Sequence, residues 1–376
     1  VEKDLWPRRL PTARHGPEYV NSGFGGQCPL LGQCLLLLRV EHKPRLQGPW
    51  SHHGVWQAHE FPKLGAFHDT DEERSVSEQQ VHREGKVWVL GIGIQPNYAD
   101  GMNEAGLTVN LQSLYRSEYQ KCDPSSKNTI FIQNLATWIL TSFSTVEQVR
   151  KAVTGKRYCV MNPISDTNTN THWAISDKDG GSIVLEYERG VPTVHNNYVG
   201  IMTNDPFYPW HVDNLNTYRW ILPDEGDNKK LLLGTGDVLA GQGQVPWDQG
   251  HGFNTGGLPA DASPPSRFVR MFFTRQISQV NSRPDTLDDW MKLAQGILND
   301  IFITKGFTAP NPNGPVILES DHTSWATIRV PKTGFYAYRT YGNMQWQKVD
   351  TTKLDWTRQK TLPTSNNFQA SLKDIT

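Results

Sequence analysis

The strongest constraint on this chain is the order in which strand-like and helix-like stretches follow one another. Val87-Trp88-Val89-Leu90, continued by Ile92 and Ile94, has the apolar, β-branched and aromatic character of a buried strand. A stretch rich in Gly, Asn and Asp, Tyr98 to Leu107, reads as a turn into a second strand, Leu107 to Leu114, so a hairpin is predicted. Ile130 to Phe143 then places Ile130, Leu135, Trp138 and Ile139 at helical spacing. Ser144 and Glu147 have the hydroxyl-then-acid spacing of a capping box opening Val146 to Val153. Strands resume at His172–Ser176 and Ser182–Tyr187 around the turn Asp177 to Gly181, with a third near Thr193-Val194. A helix starts at Ser266 after Pro264-Pro265, and Thr286 opens another with Trp290, Leu293, Ile297 and Ile301 on one face. A last hairpin joins Ser324–Val330 to Phe335–Tyr341. Runs of strands and runs of helices, with no internal repeat, predict an α+β fold of segregated layers and antiparallel sheets rather than alternating βαβ units.

The rest of the chain divides around this body. Residues 1–85 carry seven of the twelve histidines and little periodicity, and read as a divergent segment, partly disordered or processed. Residues 86–358 form the body, and 359–376 a polar tail. Gly- and Pro-rich sequence from Asp224 to Ser266 is either an ordered loop beside a site or a flexible connection. With a formal net charge of -1 and no clustered basic patch, a nucleic-acid partner is not expected. No apolar run reaches the roughly 18 residues of a membrane span. Arg8, Arg9 and Arg14 ahead of Leu30-Leu31 and Leu35–Leu38 imitate a signal peptide, but the apolar run is interrupted and lacks a small-residue cleavage pattern. Cys28, Cys34, Cys122 and Cys159 match neither a metal spacing nor a disulfide framework, which leaves the compartment open. His52, His53 and His59 lack carboxylate or cysteine partners at ligand spacing, so neither a metal nor another cofactor is expected.

Within the body, Tyr198 to Trp210 is the stretch that the chemistry points to. The apolar run Val199, Ile201 and Met202 stops at Thr203-Asn204-Asp205-Pro206, and Pro206 keeps Asp205 out of helical geometry. The pattern predicts a strand that stops here and leaves Asn204 at a sheet edge. That amide serves either a plain turn or a hydrogen bond aimed at a reacting group.

Four blocks carry a family resemblance: Tyr98-Ala99-Asp100-Gly101-Met102-Asn103-Glu104-Ala105-Gly106-Leu107, His172-Trp173-Ala174-Ile175-Ser176-Asp177, Met202-Thr203-Asn204-Asp205-Pro206, and Pro265-Ser266-Arg267-Phe268-Val269-Arg270. In this order and spacing they resemble the choloylglycine hydrolase family, linear-amide hydrolases that include conjugated bile acid hydrolases and penicillin V acylases. The resemblance spans roughly residues 86 to 345, about two-thirds of the chain by element placement. It implies a four-layer αββα N-terminal-nucleophile hydrolase fold, an enzyme for N-acyl amides of bile-salt, penicillin V or acyl-homoserine-lactone type, and self-assembly, often as tetramers. It also implies a cysteine nucleophile freed at a mature N-terminus, whose own α-amine serves as base.

Residue by residue, Asn204 matches the family's oxyanion asparagine and Arg267 the arginine beside the nucleophile. Ser113 falls where the bile-acid branch carries a substrate-placing asparagine. Cys34 lies at the expected distance before Asp100, although Leu35 follows it and a buried apolar thiol is the competing reading. In Gln57-Ala58-His59-Glu60-Phe61 only the acid, Glu60, keeps the family's arginine-acid pattern, so a catalytically silent binder on the same scaffold is the alternative.

Overall fold

The computed structural model describes residues 37–40, 89–94, 97–164, 170–223, 252–308 and 322–350. Its strands are β1 (Leu37–Val40), β2 (Val89–Ile94), β3 (Asn97–Asn103), β4 (Thr108–Ser113), β5 (Thr129–Phe131), β6 (Cys159–Met161), β7 (Thr171–Ser176), β8 (Ser182–Glu188), β9 (Val191–Asn196), β10 (Thr323–Val330), β11 (Phe335–Thr340) and β12 (Asn343–Val349). Its helices are α1 (Ile132–Ser142), α2 (Val146–Thr154), α3 (Tyr208–Asn214), α4 (Pro264–Ser282) and α5 (Leu287–Asp300). One sheet has six strands in the order β2-β3-β4-β7-β8-β9, a second has four in the order β1-β10-β11-β12, and β5 pairs with β6. Every neighbour in the two larger sheets is antiparallel.

The layers follow from strand alternation, because successive side chains leave opposite faces of a sheet. On one face of the six-stranded sheet, Val109, Trp173, Ile175, Ile183 and Leu185 pack against Leu135, Ile139, Val149 and Val153 of α1 and α2. Helix α2 has nine residues, too short to persist alone in water, so the buried valines and its cap hold it. On the far side, Phe268, Met271, Ile297 and Leu298 of α4 and α5 share a cluster with Ala326 and Ile328 of β10. The intervening faces meet through Asp100, Thr327 and Arg329. Arg329 lies 2.7 Å from the Asp100 carboxylate and donates to the carbonyls of Gly101 and Val109, while Thr327 donates to Asp100. Helices, sheet, sheet and helices thus stack as αββα, the layer order that the family resemblance implies.

Several local expectations are corrected. Residues 97–103 form strand β3 rather than a turn, so β2, β3 and β4 make a meander in place of a two-stranded hairpin. The glycines there serve close approach: a Cβ at Gly91 would strike the Asp100 carbonyl oxygen, and one at Gly101 would strike Leu140 of α1. Tyr198 to Met202 forms no strand. Val199, Ile201 and Met202 are instead buried against α4 and α5 as an irregular run, with the Ile201 N–H donating to the Asn197 side chain. The capping box of α2 is Thr145 with Gln148, one residue later than the Ser144–Glu147 reading. A third strand, β12, follows the last hairpin.

A disulfide joins Cys122 and Cys159, a pairing that their spacing in the sequence does not mark. Spacing did not reveal it because Cys122 lies outside any strand and is brought to β6 by long-range hydrogen bonds of its neighbour Gln120. The Gln120 main-chain N–H and side-chain oxygen bracket Val160, which lays residues 120–122 beside β6.

The bridge closes a 37-residue separation, for which loop entropy gives a stabilisation of about 3–4 kcal/mol. Cys122→Ser, or dithiothreitol, is expected to lower the urea unfolding free energy by about that amount. Equal midpoints with and without reductant would show that the bridge does not constrain the unfolded chain.

Candidate active site

The site is built where the end of β4 meets the irregular run after β9 and the first turn of α4. Helix α4 begins at Pro264 and Pro265, whose missing N–H groups cost nothing in a first turn. That start carries Arg267 inward, where it is 3% exposed. Its Nε donates to the Ala262 carbonyl at 2.9 Å, and its Nη2 donates to Asn204 Oδ1 at 2.6 Å. Asn204 is also buried, and its Nδ2 donates to the Ser113 main-chain oxygen at 3.0 Å. Arg267, Asn204 and Ser113, singled out separately in the sequence, are therefore joined in one hydrogen-bonded chain. Cys34 and Glu60 lie outside the described residues, as do His52, His53 and His59.

The loop that carries Asn204 is held at every residue. Thr203 Oγ1 donates to the Pro264 carbonyl at 3.1 Å, tying the loop to α4. Asp205 accepts from the Tyr115 N–H at 2.9 Å and from Arg116 Nε at 3.0 Å, tying it to the chain just after β4. On the other side, His172 Nε2 meets the Thr203 carbonyl at 2.6 Å, and His211 Nε2 meets the Asn204 carbonyl at 3.0 Å.

Two of these groups have strongly shifted protonation. Burial pushes the His211 imidazole down to about 4, only partly opposed by the Asn204 carbonyl, so it is neutral at pH 7 and donates from Nε2. Its ring stacks on Phe268 with centroids 4.8 Å apart. Glu186 of β8 accepts from the Tyr208 N–H at the start of α3 and faces His172 Nδ1 at 2.8 Å. Burial pushes its carboxyl up, but hydrogen bonds from His172 and His195 outweigh that and hold it at about 2.

Reading the sequence did not assign roles to Glu186, His172, His211 or Asp205. A signal was present for the first two. The turn at 177–181 fixes the register Ser176↔Ser182, and four residues farther along the strands that register sets His172 opposite Glu186. Among the described residues no three His, Cys, Asp or Glu side chains gather to hold a metal, and no helix is long and apolar enough to cross a membrane.

Residues 68–362 match the family model described as linear amide C–N hydrolases, choloylglycine hydrolase family. A bile salt hydrolase/transferase of Clostridium perfringens is 35% identical over 281 residues, which is 71% of this chain and 78% of that protein. A penicillin V acylase of Pectobacterium atrosepticum is 30% identical over 142 residues, 36% of each chain. Among solved structures, an arginine-to-leucine variant of the conjugated bile acid hydrolase from Clostridium perfringens superposes with a TM-score of 0.61 at 30% identity. That match covers 77% of this chain and 84% of the other. Penicillin V acylase from Agrobacterium tumefaciens shares the fold at a TM-score of 0.51 and 23% identity, over 77% of this chain and 89% of that one.

The two shifted groups predict the acid limb of stability. His211 titrates near 4 when folded against 6.5 ordinarily, so the unfolded chain takes up its proton first. Its contribution is lost as pH falls from 6.5 to 4, by about 3 kcal/mol. Glu186, held at about 2 against 4.5, loses its contribution as pH falls from 4.5 to 2. Urea unfolding at a series of pH values should show the first loss in the native protein and its absence in His211→Gln. A native profile that stays flat through the upper window would contradict the assignment of a neutral buried His211.

Proposed function

This chain belongs to the choloylglycine hydrolase family, is a linear amide C–N hydrolase, and, from that premise, we propose that it cleaves N-acyl amides through an acyl-enzyme on Cys34. In this reading the chain is cleaved before Cys34, and the freed α-amine takes the thiol proton. With a reference value of about 7.7–8.0 for a terminal amine, that base is suited to neutral pH. The thiolate adds to the amide carbonyl, and the developing oxyanion receives a hydrogen bond from Asn204. Collapse breaks the C–N bond, the amine leaves with a proton returned from the α-amine, and water releases the acid from the thioester.

The single observation that supports this most is the chain Arg267–Asn204–Ser113. A guanidinium has donors and no acceptor. Its contact at 2.6 Å therefore fixes the Asn204 oxygen toward Arg267 and turns the amide hydrogens away from it. One N–H goes to the Ser113 carbonyl, and the second is the donor assigned to the oxyanion. The same guanidinium supplies fixed positive charge that favours a nearby thiolate. Ser113 acts here through its main-chain oxygen, as a support for Asn204, and Glu60 is proposed as the acid on the nucleophile's side of the substrate. The substrate classes suggested by the relatives are conjugated bile salts and penicillin V, and acyl-homoserine lactones present the same acyl amide.

Turnover of glycocholate, penicillin V and an acyl-homoserine lactone is the direct assay. Asn204→Ala is expected to lower kcat on the preferred substrate by about 10²–10³-fold, with KM changed far less, because an oxyanion donor acts mainly at the transition state. Arg267→Lys keeps a charge but loses the planar fork that reaches Ala262 and Asn204 together, so it should also lower kcat. Loss confined to KM would assign Asn204 to substrate binding. Binding of these amides without turnover by the processed chain would favour a silent binder on the same scaffold.

A further inference from the structure

The hydrogen-bonded groups around His172 leave its ring no choice of proton count. Its Nδ1 faces the Glu186 carboxylate at 2.8 Å and its Nε2 faces the Thr203 carbonyl at 2.6 Å. Glu186 is itself fully engaged as an acceptor. Both of its oxygens take the Tyr208 N–H, at 3.0 and 3.1 Å, and His195 Nε2 stands 3.4 Å from Oε2. A carbonyl oxygen never donates, and an ionised carboxylate only accepts. Each ring nitrogen of His172 therefore needs its own hydrogen.

From this geometry we infer that His172 is a buried imidazolium, paired with Glu186, that clamps the Thr203 carbonyl and thereby positions the Asn204 carboxamide. His172 and Glu186 are each 1% exposed, so the pair is shielded from water and from salt. The clamp has two arms. His172 holds the carbonyl before Asn204, and the neutral His211 holds the carbonyl of Asn204 itself. Consecutive carbonyls gripped from two elements fix the peptide plane between them, and with it the direction in which the Asn204 side chain leaves. Glu186 also grips the first residue of α3, so one carboxylate orients both arms.

Among the described residues, Glu186 on β8 faces His172, with His195 beyond it on β9. His211 of α3 is electrostatically coupled to His172, the Tyr208 phenol of α3 to Glu186, and Arg267 of α4 to His211. Across β4 the neighbour is Gln112, which is neutral. Glu186 is the anion among these, in direct contact with the ring. His172 does not touch the reacting atoms. It is a positioning residue, and its catalytic meaning rests on the amide-hydrolase reading above.

The test separates the two. In protein labelled with ¹⁵N at histidine and asparagine, His172 should show two directly bonded N–H correlations at pH 7, assigned by their loss in His172→Gln. Glu186→Gln keeps the shape of the side chain and removes the anion. It should reduce the doubly protonated fraction at pH 7 by at least about tenfold and shift the Asn204 carboxamide signal. Turnover by Glu186→Gln should fall in kcat with little change in KM. A single N–H on His172 in the native protein overturns the clamp, as does an Asn204 signal indifferent to Glu186→Gln. Both magnetic signatures with no turnover of any acyl amide by the native chain would uphold the clamp and defeat the hydrolase reading instead.

Discussion

A carboxamide presents an acceptor and a donor of nearly the same shape, and only its partners decide which points where. At Asn204 that decision belongs to Arg267. A buried guanidinium offers hydrogens alone, so the amide oxygen turns to it and the NH₂ group turns toward β4. Exchanging the two ends would set N–H against N–H at Arg267 and oxygen against oxygen at Ser113. Each buried mismatch would cost about 1–3 kcal/mol, more where the charge is involved. The orientation of the proposed oxyanion donor is therefore a consequence of where α4 starts.

The scaffold exists to keep that start and the end of β4 together. Apolar packing supplies the outer interfaces, with Trp173 and Ile175 against α1 and α2 on one side and Phe268 and Met271 under α4 on the other. Between the sheets an apolar cluster of Met102, Tyr336, Tyr338 and Val349 lies beside polar contacts. Arg329 spans the gap to Asp100 and two backbone carbonyls, which fixes the offset of β10 against β3 and β4 more sharply than interchangeable apolar side chains would. The loop at 203–205 then inherits rigidity from four neighbours at once: β7 through His172, α3 through His211, α4 through Thr203 and Arg267, and the end of β4 through Asn204 and Asp205.

Much of this was legible in the sequence. The order of strand and helix patterns predicted an α+β fold with antiparallel sheets, because alternation and 3.6-residue periodicity survive wherever one face is buried, and the resemblance supplied the four-layer order. Asn204 and Arg267 were identified by resemblance and were found joined. What escaped had specific causes. Gly101 and Asn103 imitate a turn, yet the glycine is there to let α1 approach, and Asn103 uses its side chain to satisfy the carbonyls of Leu140 and Phe143 at the end of that helix. Val199 to Met202 has strand composition but packs against helices instead of pairing, which local pattern does not distinguish. The Cys122–Cys159 bridge depends on how residues 120–122 lie beside β6, and the His172–Glu186 pair on the register of β7 against β8; both are relations between segments rather than properties of either.

The account turns on a sulfur that attacks an amide within reach of the Asn204 donor. Rapid acid quench of the protein during turnover of its best acyl amide, followed by intact-mass and peptide mapping, addresses that directly. The account predicts a chain beginning at Cys34, heavier by one acyl group, with the acyl carried as a hydroxylamine-labile thioester on that residue. Turnover by a chain in which Cys34 remains inside a peptide linkage, or an acyl group recovered on any other side chain, would contradict it.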